Sequence, residues 1–471
     1  MTLIQIKPLK KGAAFLSYST LIFASVILPL SVLVLFLDRS AEYKNLILCI
    51  VSVLFVSWGR SVLAALVFLS FFADYLLALA VSGTSAKRAR PAAAFFLLAD
   101  FVWNASLLTV LARSAAAGAG TQPLIQKALI PVGTAFFALR NFTYVYDVYK
   151  GNCRAEKNPF VLMTYCCGYP FLLAGPVTRY ADYEPQLRKR PMDAGLLSSG
   201  LERFAKGLAK TVICVPVLSA LAKTGLDPKE PALSGAWIGM AAFFGAGYLT
   251  FAGLSDMGTG IARMNGFSAD VNYAPLSAKH MMSSIVKSCN KSMAELAADM
   301  RGRKNKARAA FLTLPLAMLG AAFFLPSAKA LAIGAAAGLL LAFECLIGTK
   351  KLEKIPSVIK IPAVFLISMV IFSPFAFDDM SEWLSWLGRL VGAGDSYILS
   401  KPMKEILLGN GVLLLITLFS ISPFGVGLSA KLDAVTPAEP KKYAAVRRLR
   451  TLFSAALLIV SFILAASRTM N

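Results

Sequence analysis

Ionisable side chains set inside apolar segments carry the first chemical information in this sequence. Between Pro131 and Arg190 the chain reads PVGTAFFALRNFTYVYDVYKG and, after a short gap, GYPFLLAGPVTRYADYEPQLRKR, placing Arg140, Asn141, Asp147 and Arg179 in or beside apolar stretches. At membrane depth such groups are costly, so each needs a partner or water. Two outcomes fit: hydrogen bonds that tie helices together, or the polar lining of a path through the protein. A second stretch, YLTFAGLSDMGTGIARMNGFSAD from Tyr248 to Asp270, sets Ser255 and Asp256 among Gly253, Gly258 and Gly260. Those glycines permit a broken helix or a very close backbone approach, with Asp256 as an internal acceptor or a cap at the break.

Other reactive residue types are sparse. The seven cysteines show no C-x-x-C pair and no metal spacing, so they indicate neither a disulfide scaffold nor zinc. Cys289 has no base near it in sequence, which argues against a thiol nucleophile. The chain holds one histidine, His280, within SAKHMMSS.

The elements that must position these groups are membrane helices. Of 471 residues 57% are hydrophobic and only 15% charged, against roughly a quarter charged in soluble globular domains. Segments apolar enough to serve as spans recur at 13–37, 44–58, 61–81, 92–112, 124–139, 160–177, 201–222, 236–252, 309–325, 328–348, 361–377, 405–422 and 452–466. The stretches 44–58 and 124–139 are short enough to be tilted, re-entrant or buried. The expectation is an all-α polytopic membrane protein with about 11 transmembrane helices plus short re-entrant or embedded ones. Residues 1–471 read as a single integral membrane domain, with 431–442 (AVTPAEPKK within it) as a linker-like loop before the last helix. The first apolar run is too long for a signal-peptide core and reads as a retained span.

Lys plus Arg number 48 against 25 Asp plus Glu, a formal net charge of +23. The basic residues lie between apolar runs and form no basic face interleaved with aromatics, so the excess belongs to cytoplasm-facing loops beside a lipid bilayer and not to nucleic acid. RGRKNKAR at 301–308 reads as one such loop, or as a site for an anionic group. Trp383 and Trp386 are expected to anchor an interfacial helix.

Taken together, the two polar stretches resemble the membrane-bound O-acyltransferase family, in its bacterial branch of alginate O-acetyltransferases and teichoic-acid D-alanyl transferases. Its P-I-G…Y-x-x-D-V-Y-R-G segment is matched by Pro131, Gly133, Phe136, Tyr144, Asp147, Val148, Tyr149, Lys150 and Gly151. Its F-P-x-L-x-A-G-P-I-x-R-Y segment and later Q-L are matched by Tyr169, Pro170, Leu172, Ala174, Gly175, Pro176, Arg179, Tyr180, Gln186 and Leu187. The third match is Phe251, Gly253, Ser255, Asp256, Met257, Gly260, Arg263, Met264, Gly266 and Phe267, similar to F-x-G-Y-S-D-M-A-I-G-x-x-R-M-x-G-F. Weaker similarity extends to 52–81, to LLLAFECLIG, and to VIFSPFAFDDMSEWLSWL, where Pro374 replaces the family arginine.

The chain departs from the family where the family does its chemistry. The helix W-R-R-W-H-x-S-L-S aligns with VKSCNKSMA, which puts Asn290 at the histidine position and keeps Ser292. The second family histidine belongs between Ala309 and Gly338, and no histidine stands there. Acyl transfer from a thioester to a hydroxyl needs a base near neutral pKa, and losing one typically costs about 10²- to 10⁴-fold in rate. His280 lies ten residues before Asn290, which on one continuous helix is about 15 Å along the axis and about 80° around it.

The resemblance therefore implies a multi-pass protein of the bacterial inner (cytoplasmic) membrane, acting in cell-envelope polymer O-acylation. It implies an extracytoplasmic acyltransferase or polymer-export partner. With both histidine positions empty, the expected role is a degenerate scaffold, binding subunit or conduit, with no confident catalytic residue, no bound cofactor and no metal. The residues expected to line a tunnel or binding site are Asp147, Arg179, Ser255, Asp256 and Asn141. Two alternatives stand beside it: an active enzyme that takes its acyl group from a thioester such as acetyl-CoA and uses a non-histidine base, Asp256, Asp147 or a partner's, and a transporter using the same polar interior.

Overall fold

A computed structural model describes residues 19–35, 37, 40–58, 61–84, 90–118, 124–173, 179–190, 192–227, 232–273, 282–302, 306–324, 327–352, 354–377, 379–392, 398–421 and 440–470. Among these residues there are helices and no strand. In chain order they are α1 (Leu28–Leu35, after a π-helical turn Phe23–Ile27), α2 (Ala41–Ser57), α3 (Ser61–Gly83), α4 (Arg90–Gly118), α5 (Leu124–Lys150), α6 (Pro159–Cys166), α7 (Tyr180–Arg188), α8 (Ala194–Ala209) and α9 (Val215–Leu226). They continue with α10 (Leu233–Met264), α11 (Met282–Cys289), α12 (Lys291–Arg301), α13 (Lys306–Phe324), α14 (Ala328–Ile347), α15 (Thr349–Leu352) and α16 (Ser357–Phe372). The last four are α17 (Met380–Leu390), α18 (Lys401–Gly409), α19 (Gly411–Ile421) and α20 (Pro440–Met470).

The helices are inverted relative to those of soluble proteins, and α3 shows why this is a membrane fold. Val67, Ser70, Phe71, Asp74, Ala78 and Val81 recur at spacings of one, three or four residues and are buried, while Leu69, Phe72 and Leu76 on the other side are 57, 51 and 62% exposed. Polar groups inward and large apolar groups outward is the arrangement lipid favours, since water-free hydrocarbon solvates no unpaired polar group. Among the described residues seven helices are long and apolar enough to cross a membrane, and an eighth span is counted if α18 and α19, bent by 73°, form one. This is a polytopic all-α membrane protein, and the described residues hold seven or eight of the 11 or so spans read from the sequence. Segment 44–58 is covered by α2, only 17 residues long, and segment 124–139 is the first part of α5, a 27-residue helix that continues through the polar residues to Lys150.

Packing divides the chain into two compact units, one of Met1–Leu208, Leu254–Asn272 and Phe453–Asn471, the other of Ala209–Gly253 and Tyr273–Leu452. In the first, α3, α4 and α5 pack on one another, and α8 meets the C-terminal part of α10. The α8–α10 approach needs glycine on both sides: a Cβ at Gly260 would stand 2.6 Å from the Phe204 amide nitrogen and from the Gly200 carbonyl oxygen. The glycine-rich stretch thus serves close approach and not a break, because α10 runs unbroken from Leu233 to Met264.

In the second unit α13 and α14 form a tightly packed hairpin. Gly334 and Gly338, spaced as G-x-x-x-G, let α14 approach the α13 backbone, with a Gly334 Cβ falling 2.7 Å from Met318 Cα. Trp386 is not an interfacial anchor: it is fully buried against Ala236, Met240, Met369 and Phe377, and its indole N–H donates to the Ala236 carbonyl at 3.1 Å. The helix α17 carries Trp386 on a strongly apolar face that packs inward, which overrides the usual interfacial preference of tryptophan. Of the linker-like stretch, residues 431–439 lie outside the described residues, and 440–442 open α20.

Candidate functional site

The matched motifs meet in the first unit. Asp147, near the end of α5, is 1% exposed and forms an ion pair with Arg179 just before α7, Nη1 to Oδ1 2.6 Å. The same Oδ1 accepts from the Asn152 amide at 3.0 Å. A buried carboxylate is tolerable when paired and hydrogen-bonded in this way. One turn N-terminal to Asp147 on the same helix, the Tyr144 hydroxyl accepts the Glu156 backbone N–H at 2.8 Å, and Glu156 Oε2 accepts from Tyr180 at 2.8 Å and from Arg188 at 2.7 Å. The Glu156 carboxylate holds the Arg188 guanidinium above its ordinary pKa.

Beside the ion pair, an open cleft of about 540 Å³ is lined by Ser82, Val148, Gly151, Asn152, Cys153, Arg154 and Glu184. It offers amide, guanidinium and carboxylate groups to a polar ligand. Cys153 does not supply a nucleophile there, since burial, together with the nearby Asp147 charge, pushes its thiol up to about 12.

The other predicted residues sit nearby in sequence motifs but in distinct networks. Arg140 is 1% exposed, donates to the Tyr165 carbonyl at 3.0 Å and stacks over the Tyr165 and Phe171 rings at 4.9 and 4.3 Å. Asn141, fully buried, donates its amide to Asp74 on α3. Asp256, fully buried on α10, faces Arg203 of α8 with Nε 3.3 Å from Oδ1. Ser255 accepts the Asn272 backbone N–H at 2.8 Å, fastening the chain that follows α10. These contacts are interhelical or loop-fastening hydrogen bonds and an ion pair. Ala174, Gly175 and Pro176 of the second motif lie outside the described residues.

Several polar groups were not singled out from the sequence. Asp74, Asp100 and Asn104 form a buried cluster with Asn141, and lone acids inside FFADYLL and FLLADFVWN were the available signal. Arg190 is 3% exposed, its guanidinium carbon 4.1 Å above the Phe267 ring, and burial lowers its pKa to about 10. Lys44, also buried, donates to the Arg190 carbonyl at 2.8 Å. In this way the ends of the second and third motifs meet at Arg190 and Phe267.

The histidine position belongs to the second unit. The 276–298 segment is not one helix: α11 ends at Cys289, Asn290 takes an extended conformation (φ −155°, ψ 93°), and α12 starts at Lys291. Asn290 is the N-cap of α12, its side-chain oxygen accepting from the Met293 N–H at 3.1 Å, a use for which asparagine ranks among the best residues. Ser292 falls in the first turn of α12 and is half-buried. Glu344 of α14 accepts from the Met282 and Ser283 N–H groups and so holds the first turn of α11. His280 lies outside the described residues. Residues 309–338, where the second histidine belongs, are spent on the α13–α14 hairpin.

No family model matches the chain. It is similar to the probable alginate O-acetylase of Pseudomonas fluorescens, 30% identical over 257 residues that cover 54% of this chain and 50% of that protein. The corresponding Pseudomonas aeruginosa protein is 28% identical over 274 residues, covering 54% and 51%. A peptidoglycan O-acetyltransferase of Helicobacter pylori is 24% identical over 174 residues, 31% of this chain and 33% of that protein. The chain spans about half the length of the alginate O-acetylases it matches. These relatives bear out the resemblance read from the three motifs.

Proposed function

We propose that this chain works in O-acylation of a cell-envelope polymer at the bacterial inner membrane as a degenerate member of the acyltransferase group, serving as scaffold, binding subunit or conduit. The observation that carries this reading is Asn290. A carboxamide has no basic site near neutral pH, and its oxygen is engaged as a helix cap, where a general base would face a substrate hydroxyl. The relatives' names supply the polymer context, and the polar cleft beside Asp147 and Arg179 supplies a place for a polar ligand.

The active-enzyme reading would place an acyl thioester such as acetyl-CoA in the protein and take a base from Asp147 or Asp256. Both carboxylates are engaged by guanidinium groups, Asp147 by Arg179 and Asp256 by Arg203, and so serve as ion-pair partners within the bundle. The degenerate reading is therefore favoured, with an extracytoplasmic transferase as the partner that acts. A cellular test follows. Deleting the gene is expected to lower ester-linked acyl groups on the envelope polymer, and the Asn290→Ser chain, which keeps the cap, is expected to restore them fully. Failure of Asn290→Ser to restore acylation, at wild-type protein level, would contradict the reading.

A further inference from the structure

The cluster around Asp74 and Asp100 has an unbalanced chemistry that the motifs do not explain. Asp74 stands at the middle of the 64–83 span and Asp100 at the middle of the 91–109 span, so both carboxyls lie near mid-membrane. They are 2 and 0% exposed, and the Asn104 amide joins them, donating at 3.0 Å both to the Asp74 carboxyl and to the Asp100 backbone carbonyl one turn before it. Asp74 accepts from Asn104 at 3.0 Å, Ser70 at 3.3 Å and Asn141, while Trp103 donates to Ser70 at 3.1 Å. The side-chain donors that reach a carboxyl here, Asn104, Asn141 and Ser70, all reach that of Asp74. Four acceptors are left buried with no donor: both oxygens of Asp100 and the side-chain oxygens of Asn104 and Asn141.

Among the described residues no neighbouring group supplies the missing positive charge. On α5, Arg140 is directed to the Tyr165 carbonyl and two aromatic rings, Asp147 is paired with Arg179, and Lys150 lies over Tyr146. On α3, Tyr75 donates to the Lys157 carbonyl. The packed faces of α2 and α6 bring Lys44, which donates to the Arg190 carbonyl, the thiols Cys49 and Cys166, and the phenol Tyr165. Neither Asp74 nor Asp100 forms an ion pair among the described residues. Two buried carboxyls joined through one amide, one of them with no donor and neither with a counter-charge among the described residues, are costly at membrane depth without an added cation.

We propose that Asp74, Asp100 and the side-chain oxygens of Asn104 and Asn141 form an intramembrane site for one small monovalent cation, a proton or a sodium ion. Oxygen acceptors without donors suit either, and neither needs a cavity of ligand size. Occupancy is then linked to the packing of α3 on α4 and α5, because the cation binds only the assembled cluster. The site shares Asn141 with the residues expected to line a binding path but uses neither Asn290 nor the Asp147–Arg179 pair on which the acylation reading rests, so its failure leaves that reading untouched.

The test uses the purified full chain in detergent. Replacing choline by sodium at constant ionic strength is expected to raise the melting temperature by about 3 °C or more if sodium is the occupant, and lowering the pH does so if the occupant is a proton. Asp100→Asn, whose amide can donate to Asp74, is expected to fold and to lose whichever dependence the wild type shows. Binding of radioactive sodium and the infrared band of a protonated carboxyl read the occupant on wild-type protein, without any variant. A wild type indifferent to both sodium and pH, with neither bound sodium nor a protonated-carboxyl band lost in Asp100→Asn, overturns the proposal. So does a dependence that persists unchanged in that variant.

Discussion

The two units satisfy their buried polar groups differently. In the first, beside bonds to backbone such as those of Arg140 and Lys44, many side chains are matched to side chains: Asp147 to Arg179, Glu156 to Tyr180 and Arg188, Asp256 to Arg203, Asn141 and Asn104 to Asp74, and Tyr169 to Asn265. In the second, side chains commonly meet backbone: Arg389 donates to the Leu226 and Asp227 carbonyls, Trp386 to Ala236, Lys329 to Phe377, and Glu344 and Asn290 accept backbone N–H groups. A side-chain pair constrains the identity of both residues. A bond to backbone constrains one, and any residue with the right donor or acceptor will serve. The three motifs fall largely in the first unit, while the second holds a helix cap at Asn290, where the resemblance leads one to expect a histidine.

The largest test of that contrast is to cut one partner from each unit. Arg179→Ala leaves Asp147 buried without its cation and is expected to cost about 3–5 kcal/mol. Arg389→Ala, which frees only backbone carbonyls, is expected to cost about 1–3 kcal/mol. Denaturant or thermal unfolding in detergent measures both, and equal losses would erase the distinction. A middle-sized effect is expected from Gly260→Ala, whose Cβ would collide with the α8 backbone, at about 1–3 kcal/mol. The smallest is Asn290→Ala at about 1 kcal/mol, with Asn290→Ser or Asn290→Asp close to wild type because each can cap α12. A severe loss on Asn290→Ser would mean that Asn290 does more than cap.

Much of the first unit was legible because its polar residues interrupt apolar runs, which is a loud signal at membrane depth. Asp147, Arg179, Asn141 and Asp256 are all buried or paired there. Asp100 was quieter: its partner, Asp74, is 26 residues away on another helix, and a lone acid in FLLADFVWN gives no hint of the pairing. In the second unit the break at Asn290 was hidden, since the sequence around it has neither glycine nor proline and only the cap geometry ends α11. Trp386 was misjudged for a related reason, because composition reports a tryptophan and only packing reports that its face turns inward.

Under the proposed function this chain acts in acylation with Asn290, and no imidazole, at the start of α12. Acyl transfer by the purified chain, from acetyl-CoA to envelope polysaccharide acceptors, tests it most directly. The account predicts no turnover above the uncatalysed background for the wild type. Sustained turnover that Asn290→Ala abolishes, in protein shown to remain folded, would contradict it.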